Sequence, residues 1–435
     1  MLPAPGSAAT TVQPAVVIRK VQRRILPFLF ICYLFAYLDR ANVAFAKLTM
    51  LPDLGFSEAV YGLGAGLFFI GYFLLEIPGA LIVQKFGARR WIARILITWG
   101  FCSALVGFVR TPHQFYAARF LLGAAEAGFF PGVIVYLSHW FPYSYRARAM
   151  ARFVLAIPLG LMLGAPGSGL LLRQHWFGLE GWRWVFIIEG LPAVVLGVIT
   201  LRYLTDWPKD AKWLEPAERE WLASEIEQEN VKKGAGRKIS IWRAMRQRNV
   251  LLLALILCAA NTGGSGYLFW LPTRIQQASS FSPLAASMFS SLPFMAGMIA
   301  LFLMGRSSDR TGERKWHTAI PLFLSGCLFA LTVISNHPFA LLLGLLCIAA
   351  PAMYAWIPAF WVLPTMTLGE YGAAAAIGLM NSIGNLGGFF GPTLVGFVIT
   401  KYGSYTAAVL FLSSCYVIGS LLVFALRDQS QSSGL

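Results

Sequence analysis

The sequence predicts an all-α polytopic membrane protein with twelve transmembrane helices in two pseudo-symmetric six-helix halves. Its 435 residues are 57% hydrophobic and only 12% charged, with a mean hydropathy of +0.64, whereas a soluble protein carries about 25% charged residues. A helix needs about 20 apolar residues to span the hydrocarbon layer of a bilayer. Apolar runs of this kind lie near residues 25–46, 59–83, 91–109, 113–137, 149–172, 184–204, 249–271, 284–304, 317–335, 338–361, 372–399 and 404–426.

One long polar stretch divides these runs into two sets of six. Residues 205–248 hold ten Lys or Arg and eight Asp or Glu, a composition typical of a solvated, partly helical linker. The predicted order of domains is a cytoplasmic N-terminal tail (1–24), a first six-helix bundle (25–204), the cytoplasmic linker, a second six-helix bundle (249–427) and a cytoplasmic C-terminal tail (428–435).

The positive charges are distributed unevenly between the two sides of this predicted membrane protein. Of the 35 Lys and Arg residues, Arg40 and Arg119 lie in the interior of predicted spans and only six lie in the alternate connections, namely Lys47, Arg110, Arg173, Arg183, Arg274 and Lys401. An excess of Lys and Arg marks the cytoplasmic side, so we expect a multi-pass protein of the cell (inner or plasma) membrane with both termini in the cytoplasm. This placement accounts for the net charge of +16 without a nucleic-acid partner.

The two halves share sequence motifs at a nearly constant spacing. The loop at 305–315 and the loop at 84–90 correspond at an offset of 225 residues, and Pro166 and Pro392 correspond at an offset of 226. Such an internal duplication is the architecture of many secondary transporters, whose binding site lies at the bilayer midplane between the repeats. The residues predicted to act in gating are Asp309, Arg310, Gly312 and Arg314 in the second loop and Lys85, Gly87 and Arg89 in the first.

Two pairs of charged residues, Asp39 with Arg40 and Arg119 with Glu126, lie in the interior of predicted spans. A charged group at the bilayer centre costs about 2.5–3.5 kcal/mol even on the mildest scale, so such residues rarely lack a role. Counting about 1.5 Å per residue, we expect Arg40 and Arg119 at similar depth in the outer half, where two guanidinium groups would form one anion site. Glu126 lies two turns deeper, and buried carboxyl groups hold protons near neutral pH. The alternative is that ion pairs, such as Asp39 with Arg119, only fix the helix packing.

Five further segments help to identify the family that the sequence resembles. They are Tyr37 to Ala44, Gly87 to Trp91, Arg119 to Gly132, Gly181 to Gly190 and Asn381 to Gly388. Together with the loop at 305–315, they resemble the major facilitator superfamily and, within it, the anion:cation symporter family. That family includes bacterial permeases for tartrate, sugar acids, phthalate and hydroxyphenylacetate. Gln84 stands where the superfamily loop usually has an acid, which weakens the expectation of symmetric gating.

The resemblance implies roles for individual residues. Asp39, Arg40, Arg119 and Glu126 match family positions that serve anion binding and proton coupling. We therefore expect Arg40 and Arg119 to bind the substrate, Glu126 to be the main proton carrier and Asp39 to assist it. The uncharged candidates for substrate binding are Tyr37, Tyr72, Asn381 and Asn385, which suit the body of a substrate. Two other acids in the apolar runs, Glu76 and Glu189, are expected to be structural.

The expected function is proton-coupled uptake of a small organic anion by alternating access, with a proton gradient as the energy source and with no cofactor or metal. An organic-anion exchanger and a drug:proton antiporter are the alternative transport modes, and a transport-like membrane sensor is a more remote alternative. No enzyme is expected, because neither His-Glu-x-x-His nor Gly-x-Ser-x-Gly occurs. We expect a functional monomer, and the sequence leaves open whether the anion is a sugar acid, tartrate or an aromatic acid.

Overall fold

The computed structural model describes residues 12–234, 247–333 and 338–426. In these residues the chain forms sixteen α-helices and no β-strand. In chain order the helices are α1 (Pro14–Leu54), α2 (Glu58–Phe86), α3 (Ala88–Val106), α4 (Pro112–Glu126), α5 (Phe129–Trp140), α6 (Tyr143–Val154), α7 (Ala156–Leu171), α8 (Gly181–Tyr203), α9 (Pro216–Gly234), α10 (Arg248–Ser279), α11 (Pro283–Thr311), α12 (Lys315–Leu331), α13 (Phe339–Ala355), α14 (Ile357–Phe360), α15 (Leu363–Tyr402) and α16 (Tyr405–Phe424).

The first helix is much longer than the apolar run that predicted it. α1 begins at Pro14, a residue favoured in the first helical turn, and ends before Gly55, whose φ of +65° and N–H bond to the Leu51 carbonyl close the helix. Lys47, which we predicted in an outer connection, therefore lies inside α1 and is only 2% exposed. That prediction was wrong because the helix continues past the apolar run, with Lys47 turned toward protein partners.

Ten helical segments of the described chain are long and apolar enough to cross a membrane. Two helices separated by a short break, such as α4 and α5, form one such segment. The other two members of the predicted twelve are α3 and α12. α3 carries three arginines in its first two turns, and α12 has 17 residues. The chain is thus a multi-pass helical membrane protein, and the count of twelve spans stays a prediction.

Glycines let α2 approach its neighbours on two sides. We call α1–α8 the first half and α10–α16 the second half, and α2 packs along α4 of the first and α15 of the second. A Cβ atom at Gly62 would lie 2.3 Å from the carbonyl oxygen of Pro392, and one at Gly123 would lie 1.8 Å from that of Phe68. Only glycine permits such close backbone contacts. α2 therefore lies where the first half contacts the second. α7 packs along α11 and forms another contact between the halves.

Replacing Gly123 with Ala is expected to lower the melting temperature of the purified protein. The added methyl group would overlap the Phe68 carbonyl oxygen, so α4 would have to move away from α2, and overpacking of this kind costs about 1–3 kcal/mol. Gly167→Ala is the matched control, because nothing lies within 4 Å of a Cβ atom there. Thermal unfolding in detergent measures both variants, and equal melting temperatures would contradict the packing described.

The fourth predicted span is broken immediately after Glu126. α4 ends at that residue, Ala127 is extended, and Gly128 has a φ of +84° before α5 begins at Phe129. A Cβ atom at Gly128 would lie 3.0 Å from the Cα atom of Gly79 in α2, so both the conformation and the space require glycine. The break places the Glu126 carboxyl group at the end of a half-helix, and membrane proteins tolerate such breaks only where the backbone is buried in protein or lines a cavity.

Candidate functional site

Asp39 is 1% exposed, and the hydrogen bonds that it accepts from described residues all come from the first half. Trp99 donates from Nε1 to Oδ2 at 2.6 Å, and Asn42 donates from Nδ2 to Oδ1 at 2.8 Å. The Ser103 hydroxyl donates to the same Oδ1. Trp can only donate a hydrogen bond, so these partners match an ionised carboxylate.

Arg40 and Glu126 form a buried ion pair between α1 and α4. Nη2 of Arg40 contacts Oε1 of Glu126, and the guanidinium Cζ lies 5.0 Å from the ring centre of Tyr37 and 5.3 Å from those of Phe68 and Tyr72. The second carboxylate oxygen of Glu126, Oε2, has no hydrogen-bond partner among the described residues. The rings leave only 15% of the Arg40 side chain exposed, and the lower polarity around the guanidinium group strengthens the ion pair.

Arg119 is fully buried and has no ion-pair partner among the described residues. Its relative exposure is 0%, and none of its three guanidinium nitrogens has a hydrogen-bond partner in the described part of the chain. Its Cζ lies 5.0 Å from the centre of the Phe68 ring, which also contacts Arg40. The two guanidinium groups are thus less than about 11 Å apart, and five donor hydrogens of Arg119 are available to an incoming acceptor.

The depths of these residues differ from the prediction. Arg40 lies fourteen residues from Leu54 at the far end of α1, and Glu126 lies fourteen residues from Pro112 at the start of α4, so they lie at the same level. Arg119 is seven residues closer to that face than Glu126, or about 10 Å. We expected Arg40 and Arg119 to lie at the same depth. Counted along the helices, Arg40 instead lies at the depth of Glu126, because α1 extends beyond the predicted run. The alternative ion pair of Asp39 with Arg119 does not form in the described residues, although the two groups interact electrostatically.

Glu76 joins the predicted substrate residues of the two halves. Its carboxylate on α2 accepts from Nδ2 of Asn381, from the Ser382 hydroxyl at 3.3 Å and from Nδ2 of Asn385 at 3.2 Å, all on α15. Tyr72, which contacts Arg40, lies one turn before Glu76 on the same helix. We expected Glu76 to be structural; its hydrogen bonds join α2 to Asn381 and Asn385 of the second half, and its role stays a prediction.

A second polar cluster joins the halves near the ends of α1 and α2, on the predicted outer face. Nζ of Lys47 lies 2.7 Å from Oε2 of Glu58, and Trp270 of α10 donates from Nε1 to the same oxygen at 3.0 Å. The Lys47 ammonium group also lies over the rings of Trp270 and Tyr61, 4.3 and 4.7 Å from their centres. We did not predict this cluster from the sequence. The signal that could have revealed it is Gly55, which caps α1 and so places the end of the helix beyond the apolar run.

The hydrogen bonds between the halves are concentrated on this outer side and at Glu76. Among the described residues they join Glu58 to Trp270, Ala59 to Thr400, Tyr61 to Phe269, and Glu76 to Asn381, Ser382 and Asn385. The described ion pairs at the predicted cytoplasmic face stay within one half or join it to the linker helix α9. Among the described residues, the side that we predict to be outer is thus one of the two places where hydrogen bonds hold the halves together.

The predicted gating loop of the second half closes on itself. Gly312, with a φ of +71°, ends α11. Arg314 contacts Oδ1 of Asp309 at 2.8 Å and donates to the Ser308 hydroxyl at 2.7 Å. Partial burial of the Glu313 carboxyl group favours its neutral form, but hydrogen bonds from the backbone of Trp316 and from His317 hold the pKa of Glu313 below its ordinary value. The loop is therefore a stable charged turn, and Arg310 lies in the last turn of α11.

In the first half, the equivalent turn uses an acid from elsewhere in the sequence. The backbone N–H of Arg89 donates to Oδ1 of Asp206 at 2.8 Å, and the Arg89 Nε lies 3.6 Å from Oδ2. Gly87 has a φ of +88°, and a Cβ atom there would lie 3.2 Å from the same carboxylate. Asp206 follows α8, so the loop has a carboxylate partner that we did not predict. The side chain of Lys85 lies outside the described residues.

Trp270→Ala is expected to open the outer cluster. The substitution removes the hydrogen bond to Glu58 and the ring over Lys47, so a membrane-impermeant amine reagent should acylate Lys47 several-fold faster from the outer side. Lys401 is exposed in the described structure and serves as the internal standard, and Trp176→Ala, an exposed tryptophan, is the control variant. Peptide mass spectrometry measures both rates, and an unchanged ratio of Lys47 to Lys401 labelling would contradict the role of Trp270.

A helical membrane protein with this paired acid and arginine in its interior matches a known protein family. The family model for the Major Facilitator Superfamily matches residues 29–392. The chain belongs to the Major Facilitator Superfamily. It is 43% identical to a putative tartrate transporter of Agrobacterium vitis, with 96% of each chain covered. It is also 40% identical to a quinolone resistance transporter of Acinetobacter baumannii, with 94% of each chain covered.

The fold of this member of the Major Facilitator Superfamily is also found among solved structures. A bacterial homologue of the human lysosomal transporter Spinster superposes with a TM-score of 0.72 at 18% sequence identity, and the match covers 97% of this chain and 96% of that one. The likeness confirms the predicted fold class of an all-α membrane protein. The family and the relatives together establish that this member of the superfamily is a transporter and not an enzyme.

Proposed function

We propose that this superfamily member carries a small carboxylate anion together with protons, as an uptake symporter that works by alternating access. The observation that carries the proposal is the Arg40–Glu126 ion pair beside an Arg119 whose donors have no hydrogen-bond partner in the described part of the chain. The relative named a putative tartrate transporter supports a hydroxy-acid substrate. Tartrate is therefore the first probe, ahead of sugar acids and aromatic acids.

Competition for Arg40 would couple the substrate to the proton. While Glu126 is ionised, its carboxylate occupies Arg40, and a substrate carboxylate can take that place only if Glu126 is displaced or neutralised. Protonation of Glu126 weakens the ion pair and frees the Arg40 fork, which matches a carboxylate. Each ligand then favours binding of the other, and the two coupling free energies are equal.

Charge balance supports this order of events. Asp39, Arg40, Arg119 and Glu126 together carry no net charge when all are ionised. One proton on Glu126 and one monovalent anion on the arginines again give no net charge, and a divalent anion would need a second proton, for which Asp39 is the candidate. A loaded site without net charge can change between the inward- and outward-facing states at a lower electrostatic cost than a site with net charge.

The two clusters that join the halves would form the moving parts. Outward opening requires Trp270 to leave Glu58 and α15 to shift along α2 at the glycine contacts. Glu76 lies deeper than Arg40 as counted along α1 and α2, between the anion site and the predicted cytoplasmic face. Its bonds to Asn381 and Asn385 connect the site to the second half, so a substrate that reaches these amides would loosen that connection.

A drug:proton antiporter is the second candidate, because a relative is named a quinolone resistance transporter. A site for cationic drugs needs carboxylates that are not neutralised by arginine. Here Glu126 is paired with Arg40, and Arg119 leaves a positive charge without an ion-pair partner in the described residues. These features favour an anionic substrate over a cationic drug. An exchanger would use the same site without the proton.

Transport by the purified protein in proteoliposomes tests the proposal. We expect counterflow of labelled tartrate or of another carboxylate in a panel of hydroxy, sugar and aromatic acids, and accumulation when the outside is more acidic than the inside. A cationic quinolone should neither be carried nor compete. Failure of every carboxylate to move would overturn the proposal, and counterflow without any response to the pH gradient would identify an exchanger.

A further inference from the structure

Lys47 lies on the face of α1 that carries Arg40. It follows Arg40 by seven residues, which is two helical turns, so the two side chains leave the same face about 10 Å apart along the axis. Lys47 lies between Arg40 and Leu54, where α1 ends on the predicted outer side. An anion that enters from that side between the halves reaches the level of Lys47 before it reaches Arg40.

The Lys47 ammonium group also borders the second half. Nζ lies 4.3 Å from the centre of the Trp270 ring of α10 and 4.7 Å from that of Tyr61 in α2. The Tyr61 hydroxyl donates to the backbone carbonyl of Phe269, also in α10, at 3.1 Å. Lys47 therefore lies at the boundary between the halves, which is where a transport path opens in proteins built from two repeats.

Glu58 provides the carboxylate that Lys47 contacts in this structure. Its Oε2 atom lies 2.7 Å from Nζ and also accepts from Nε1 of Trp270 at 3.0 Å. Nζ has no hydrogen bond of regular geometry among the described residues, although the Lys47 side chain is only 2% exposed. The Glu58 side chain is 23% exposed, so water already reaches the acid of this pair. Separation from Trp270 would remove a donor from Glu58 and weaken its hold on Lys47.

A substrate carboxylate is the same chemical group as the Glu58 side chain. We propose that Lys47 is a further substrate-binding residue, which exchanges Glu58 for a carboxylate that enters from the predicted outer side. A flexible lysine with three donor hydrogens suits a residue that changes partners, whereas the rigid fork of Arg40 suits a site of fixed geometry. The inference rests on the proposed function and extends its anion site toward the outer side.

The alternative is a latch, in which Lys47 and Glu58 only join the outer ends of the helices. The two roles predict opposite changes in the KM for outside substrate. Loss of a latch raises the share of protein that faces outward and so lowers the apparent KM. Loss of a binding cation raises it.

Uptake of labelled tartrate, or of the carboxylate identified by counterflow, into right-side-out membrane vesicles measures the outer KM. Glu58→Gln should lower it several-fold, because the variant removes both the latch and the competing carboxylate. Adding Lys47→Gln to this variant should raise the KM by about tenfold, as expected for one lost charge-assisted hydrogen bond. Adding Lys401→Gln instead removes an exposed lysine of the same predicted side and should change the KM by less than about twofold.

An equal outer KM for Glu58→Gln with and without Lys47→Gln would overturn the binding role of Lys47. If Glu58→Gln does not fold, the double variant, which removes both charges of the pair, is compared with wild type. A higher outer KM then supports binding, and an equal or lower one overturns it. Absence of carboxylate uptake by the wild type would instead overturn the proposed function, and this inference with it.

Discussion

Glu126→Gln is expected to abolish accumulation of carboxylate driven by a pH gradient while counterflow continues. The amide keeps the shape of the carboxyl group and can still accept a hydrogen bond from Arg40, but it neither binds nor releases a proton. In wild type, a gradient of one pH unit corresponds to about tenfold accumulation of a monovalent anion carried with one proton, and to about a hundredfold accumulation of a divalent anion such as tartrate carried with two. In the variant the ratio of inside to outside substrate should fall to about one, measured with labelled tartrate or with the carboxylate that the panel identifies.

Glu180→Gln is the matched control for this experiment, because Glu180 is half exposed and pairs with His175 outside the site. It should accumulate substrate as the wild type does. If Glu126→Gln still accumulates carboxylate in response to the gradient, Glu126 is not the residue that couples transport to protons, and Asp39 becomes the next candidate.

Arg119→Gln is expected to lower carboxylate transport by about a hundredfold without lowering the melting temperature. An incoming carboxylate would make charge-assisted hydrogen bonds to Arg119, each of which contributes about 1.5–3 kcal/mol. In the substrate-free structure the guanidinium group is buried without a hydrogen-bond partner among the described residues, so its removal relieves a desolvated charge. The measurements are counterflow at several substrate concentrations and thermal unfolding in detergent.

A structural role for Arg119 gives the opposite combination of results. If its charge mainly stabilises Asp39 and Glu126, Arg119→Gln should unfold at a lower temperature and lose transport through loss of folded protein. Arg110→Gln is the matched control, because Arg110 is exposed and lies just before α4. A lowered melting temperature in Arg119→Gln and not in Arg110→Gln would contradict the binding role.

The fold class and the charged residues of the candidate site could be predicted from the sequence because both depend on local composition. Apolar runs of membrane-spanning length indicate helices wherever they occur, and the cost of charge in a membrane selects Asp39, Arg40, Arg119 and Glu126 without any structure. The resemblance to a known family added their expected roles, which stay predictions. The match to the Major Facilitator Superfamily confirms the family.

The partners of these residues could not be predicted, because they depend on where each helix ends and how it is rotated. Arg40 pairs with Glu126 since α1 continues to Leu54, eight residues beyond the predicted run, which moves Arg40 to the level of Glu126. Asp39 is held by Trp99 and Ser103 of α3. Neither residue carries a sequence signal that separates it from other apolar or small residues of that helix.

Contacts between distant segments were the hardest to foresee. Lys47, Glu58 and Trp270 come from three helices, and Trp270 is separated from Glu58 by more than 200 residues. In the sequence each has an ordinary explanation, as a loop charge, a helix-start acid or an interfacial aromatic. Only the tertiary packing of α1, α2 and α10 shows that they form one cluster.

The most direct test of the central claim is simultaneous measurement of carboxylate and proton entry into proteoliposomes. Labelled tartrate, or the carboxylate identified by counterflow, is added outside without an imposed pH gradient, and a pH-sensitive dye is trapped inside. The account predicts that the interior acidifies as the anion enters and that Glu126→Gln removes this acidification while tracer exchange persists. Net entry of the anion with no acidification of the interior would contradict it.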